Sequence, residues 1–137
     1  NFKNGYFPYI GEQIKDYFEL LKTQMRPDLI FTHHSEDYHQ DHRTLAELTW
    51  NTFRDHLIYE YEIPKYDGGL GAPNCFIPTS QTYADKKITT LLECFSSETT
   101  KPWFTPETFA AMLRLRGIEC NSATGFAEAF YCRKFMI

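Results

Sequence analysis

The sequence predicts an α/β domain with a mostly parallel sheet, on three observations. Apolar residues at helical spacing alternate along the chain with apolar runs of strand length. One such run, Asp28-Leu29-Ile30-Phe31-Thr32, follows a helix directly. Its carboxyl end opens into His33-His34-Ser35-Glu36-Asp37-Tyr38-His39-Gln40-Asp41-His42-Arg43, which holds four of the chain's five histidines. In open α/β sheets, ligands bind in the crevice past the carboxyl ends of the strands. Fold class and chemistry thus point to one place.

The elements follow in order. After a polar and aromatic lead-in with a turn at Gly5, the residues Ile10, Ile14, Tyr17, Phe18, Leu21 and Met25 trace one face of a helix. Pro27 ends it, because the residue before a proline is pushed out of the α region. Asp28 to Thr32 reads as a central parallel strand. A second helix is expected from Asp41, capped by Asp37 or Asp41, with Leu45, Leu48, Thr49, Thr52 and Phe53 inward. His56 to Ile63 alternates and ends at Pro64, which predicts a strand. Tyr66 to Ser80, with three glycines and two prolines, reads as a long irregular loop, a class that often forms lids or substrate walls. A third helix is expected over Asp85 to Phe95. A fourth opens with a Thr105 cap and Pro106 and stops at Gly117. A last strand runs from Phe126 toward Ile137. No repeat or linker interrupts the chain, so residues 1–137 read as a single α/β domain.

Composition narrows the function. At 137 residues with 42% apolar and 17% aromatic residues, the chain has the means to build a core. A net charge of -4 without a basic stripe argues against nucleic acid. No apolar run approaches the ~20 residues of a membrane span, and no signal peptide precedes the first helix. Cys75, Cys94, Cys120 and Cys132 form no C-x-x-C pair and read as buried free thiols in a reducing compartment. Cytoplasmic location and no membrane partner are the expectation.

His39 and His42 are three apart, so a helix starting here turns both imidazoles to one side. Neutral imidazole is a common zinc ligand, and a catalytic zinc takes about three protein ligands with one position left for water. The competing reading is capping or surface histidines. His33 and His34 point in opposite directions if extended, so at most one faces the site. Tyr38 is either a substrate hydroxyl partner or surface. Arg43 either contacts a phosphate or sugar hydroxyl or pairs with Glu47. Glu128 either faces the cleft as a substrate-binding residue or makes a structural hydrogen bond. Asp67 to Gly71 are candidates for the pocket mouth, and Trp50 and Trp103 read as core.

Pro27-Asp28-Leu29-Ile30-Phe31-Thr32-His33, leading into Asp37-Tyr38-His39-Gln40-Asp41-His42-Arg43, resembles the second signature of the LmbE/PIG-L family of zinc-dependent deacetylases. Gly117 followed by Ala127-Glu128-Ala129-Phe130, and Lys87 to Ser97 with Leu91-Leu92 and Ser96, are similar to weaker family segments in the same order. The resemblance implies a three-layer Rossmann-like fold and hydrolysis of the acetyl group of an N-acetylglucosamine-type amino sugar. It implies His42 as a ligand of zinc or another divalent metal, His39 as oxyanion partner or general acid, and Asp41 as the group that orients His39. It also implies two further metal ligands and a general base from a His-Pro-Asp-Asp motif, which this sequence lacks. The expectation is therefore a chain incomplete at its N-terminus and inactive alone. The alternative is a non-catalytic carbohydrate- or nucleotide-sugar-binding module. Expected partners are a small amino-sugar substrate and, as an option, a second copy of the chain.

Overall fold

The computed structural model describes residues 1–135. The strand expected toward Ile137 therefore lies partly outside the described residues, at Met136 and Ile137. Two compact units make up the chain. One comprises Asn1–Ile63, Gly69–Gly71 and the segment from Phe130 on; the other comprises Pro64–Gly68 and Ala72–Ala129.

In the first unit a 3-10 turn, Phe7–Ile10, leads into α1, Gly11–Gln24. Ile14 is fully buried, whereas Tyr17 and Met25 at the margins of the predicted face stay about half exposed (47% and 51%). Burying an isoleucine completely contributes about 1.5–3 kcal/mol, so the stripe is anchored at its centre. β1 covers Leu29–His33 and α2 covers Gln40–Thr52. Ala46, Thr49, Thr52 and Phe53 are buried as the helical period requires, and Glu47, Asn51 and Arg54 are exposed. The buried hydroxyls of Thr32 and Thr49 meet at 3.1 Å and satisfy each other between β1 and α2. β2 is Leu57–Tyr61, shorter than the alternation suggests.

β1 pairs with β2 in parallel, from Leu29↔Leu57 to His33↔Tyr61. β4, Ala127–Cys132, joins β2 antiparallel through Tyr59↔Cys132 to Tyr61↔Phe130. With β3 at Cys75–Pro78, the strand order is β1-β2-β4-β3, so the sheet is mixed, and β1 lies at its end rather than its centre among the described residues. Phe31 reflects that position and is 53% exposed.

The second unit contains β3, Cys75–Pro78, inside the stretch read as an irregular loop. Four residues ending in proline carry too little periodicity to be recognised as a strand. α3, Gln81–Cys94, starts at a Ser80 cap, and α4, Pro106–Glu119, starts at the expected Thr105 cap. The two helices pack on each other, and Ala84, Phe104, Phe109, Leu113 and Ala127 are buried. Gly117 does not stop α4; it lies inside the helix. A Cβ there would overlap the backbone of Gly125 and Phe126, so the residue is glycine for close approach. No described helix is long and apolar enough to cross a membrane. None of the four cysteines is in a disulfide, and none is buried as expected: Cys94 is exposed, and Cys75, Cys120 and Cys132 are half-buried.

Candidate functional site

The parallel pairing of β1 and β2 brings the carboxyl ends of both strands together, and the turn from His33 to His39 leaves from that point. Glu60 near the end of β2 fastens the turn. Its Oε2 accepts from His34 Nδ1 at 2.9 Å, the Ser35 N–H at 2.8 Å and the Ser35 hydroxyl at 2.9 Å. Its Oε1 accepts from the Trp50 indole at 2.5 Å. Burial works against the charge, yet these donors together hold the carboxyl below the ordinary glutamate range. His34 is stacked on Tyr131, with ring centroids 3.7 Å apart and planes 8° from parallel. One adjacent histidine is thereby sequestered. The other, His33, faces the opposite way, as an extended strand requires.

His33, His42 and His39 lie ring beside ring. The first pair is stacked at 3.9 Å with planes 4° apart, and the second is tilted by 31° at 4.4 Å. The helical separation of three thus brings the two predicted imidazoles together and adds a third. Tyr61 borders the group, with its hydroxyl 3.4 Å from His33 Nε2. Burial, then the charge of Asp37, raises its pKa, so it stays a neutral phenol.

Local partners set the two central imidazoles to opposite tautomers. His42 Nδ1 lies 2.9 Å from Asp37 Oδ2. A carboxylate only accepts, so Nδ1 carries the hydrogen, and in the neutral ring the basic lone pair is on Nε2. His39 is the N-cap of α2, and its Nδ1 accepts from the Asp41 N–H at 3.3 Å. Its neutral ring therefore carries the hydrogen on Nε2 and is a donor there. One neutral ring thus presents a lone pair at Nε2 and its neighbour an N–H.

Asp37 and Asp41 differ from their expected parts. Neither caps α2; His39 does. Asp37, 2% exposed, instead holds the turn, since Oδ1 accepts from the His39 N–H at 2.7 Å while Oδ2 takes His42. Asp41 orients His39 through its backbone N–H and not its carboxylate. That carboxylate accepts from the N–H groups of Gly5 at 2.5 Å and Phe7 at 3.1 Å, fixing the lead-in segment. Gly5 reaches it with φ +81°, a conformation that favours glycine.

The Arg43 guanidinium donates to the carbonyls of Asp37 at 2.8 Å and Tyr38 at 2.5 Å, and no described ion pair joins it to Glu47. Tyr38 is 66% exposed beside the cluster, with Gly69 against its ring. Glu128 belongs to the second unit, where it pairs with Lys87 at 2.5 Å. Sequence reasoning passes over Glu60 and Tyr131 and undervalues Asp37. For Glu60 a signal is present: it shares strand parity with buried Ile58, which places an acid on the inner face.

As a metal site the donor set fits one ligand. His42 backed by a carboxylate is the arrangement that orients a metal-binding histidine. Among the described residues no group of three His, Cys, Asp or Glu side chains converges to complete a set.

No family model and no curated protein matches the sequence. Solved structures do share the fold. The chain is similar to GalB, the 4-carboxy-2-hydroxymuconate hydratase from Pseudomonas putida KT2440, with a TM-score of 0.70 and 15% identity over 92% of this chain. It is also similar to the conserved protein TT1542 from Thermus thermophilus, with a TM-score of 0.68 and 18% identity over 100% of this chain. The chain spans 60% and 65% of the lengths of those two proteins. At such identity the likeness shows the fold, an α/β scaffold of Rossmann-like type that an enzyme also uses.

Proposed function

We propose that residues 33–43 are the histidine half of a metal-dependent active site that hydrolyses the acetyl group of an N-acetylglucosamine-type amino sugar. The observation carrying this reading is the opposed tautomers of His42 and His39 in neighbouring rings. His42 would hold the metal through Nε2, with Asp37 fixing the ring. His39 Nε2–H would donate to the oxygen that gains charge as the amide carbonyl is attacked, an interaction worth ~3 kcal/mol. A bound zinc would polarise the carbonyl and lower the pKa of its water to about 7. The other ligands and the general base would have to come from residues beyond those described. Arg43 and Tyr38 would form the substrate side, with Tyr38 exposed to meet a sugar hydroxyl. The resemblance of residues 27–43 to the LmbE/PIG-L signature supports the acetyl-sugar substrate over other amides.

The test compares His42→Ala and His39→Ala in the full-length protein, measuring bound zinc and acetate release from an N-acetylglucosamine conjugate. His42→Ala is expected to lose both metal and activity. His39→Ala is expected to keep the metal and lose about 100- to 1000-fold in rate. Equal zinc content and equal rates in both variants would overturn the roles. A second reading, addition of water to a carbon–carbon double bond, draws on the hydratase of the same fold. It predicts turnover of an unsaturated carboxylic acid and no acetate release.

A further inference from the structure

A second concave site lies in the first unit, away from the histidine cluster. An open pocket of about 250 Å³ is lined by Trp50, Asn51, Arg54, Arg133 and Lys134. Three of its five lining residues are cationic, in a chain whose net charge is -4. No described carboxylate pairs with any of the three within ion-pair distance. The Arg133 guanidinium and the Lys134 ammonium lie over the Trp50 ring, 5.1 and 5.7 Å from its centroid. The ring itself is held rigid, because its N–H donates to buried Glu60.

The bland account is that these cations cap the C-terminal end of α2, where carbonyls lack helical partners. It covers two of them. Arg54 Nη2 donates to the Asn51 carbonyl at 3.1 Å, and Lys134 Nζ donates to the Arg54 carbonyl. It does not cover Arg133, whose guanidinium makes no hydrogen bond among the described residues. Its planar fork of five donors suits a tetrahedral oxyanion, and a dianion suits three cations better than a carboxylate does. The geometry points to a phosphate-binding pocket, taking inorganic phosphate or the phosphate group of a small ester, with Arg133 as its principal donor and Lys134 and Arg54 as flanking charges.

The experiment follows Trp50 fluorescence in a Trp103→Phe chain during titration with inorganic phosphate or glucose 6-phosphate, against potassium chloride at equal ionic strength. Calorimetry on the unsubstituted chain repeats the comparison without relying on that change. A saturable response to phosphate, to the ester or to both is expected, and the pair of titrations tells which source is preferred. Arg133→Gln is expected to weaken binding at least tenfold while the chain stays folded, since Arg133 makes no capping bond and only its contact with the Trp50 ring is lost. A response no larger than that to chloride, or Arg133→Gln binding as well as the parent chain, would overturn the proposal.

Discussion

His34 and His42 sit eight residues apart, and each offers Nδ1 to a carboxylate at 2.9 Å, yet the two pairs serve different ends. His34 is held by Glu60, with side-chain exposures of 9% and 5%, and Tyr131 lies flat on the ring. Glu60 also takes Ser35 and Trp50, so both its oxygens are occupied. His42 keeps 20% of its side chain exposed, while its partner Asp37 is 3% exposed. A histidine–carboxylate pair is thus closed to solvent where it is sealed and filled with donors, and reachable through its ring where only the acid is buried. Glu60 of the inner pair fastens the start of the turn, and Asp37 of the outer pair holds its end.

The largest expected effect breaks the inner pair. Glu60→Ala strands the Trp50 and Ser35 donors and the His34 ring, and about 3–5 kcal/mol of stability should be lost in a denaturant titration. Glu60→Gln sharpens the same point through pH. Because the folded-state pKa of Glu60 is depressed below its ordinary 4.5, the unfolded chain binds more protons in that window. The stabilisation is complete above about 4.5 and is lost as pH falls through the lower folded value, so Glu60→Gln should flatten the acid limb of a stability–pH curve. Asp37→Asn tests the outer pair. On the proposed metal reading, zinc affinity should fall about 10–100-fold by equilibrium dialysis, with a smaller stability change than Glu60→Ala causes. The smallest effect belongs to the partly exposed Lys87–Glu128 pair, where Lys87→Met should cost about 0.2–1 kcal/mol in the same unfolding assay.

Much of this is legible in the chain. Helical spacing identifies α1 and α2, and the separation of three brings His39 and His42 into contact. The Thr105-Pro106 start of α4 follows from its cap chemistry alone. What escapes is non-local. That Glu60 meets Ser35 depends on the parallel register of β1 on β2, which residue order does not reveal. Asp37 looks like a cap because short acids usually are at that position, but a histidine nitrogen reaches the α2 N–H first. The Asp41 side chain is expected to steer His39, and the long-range pull of the Gly5 and Phe7 N–H groups redirects it. β3 is hidden by its brevity. Strand pairing, not propensity, decides such a segment.

The close approach at Gly117 has a consequence for inherited variation. Even a methyl group there meets backbone that has no rotamer to escape into, since the obstacle is the main chain of Gly125 and Phe126. A Gly117→Ala change touches none of the histidines. Its carrier should therefore show a temperature-sensitive phenotype, with the protein present in the cold and depleted by quality control in the warm.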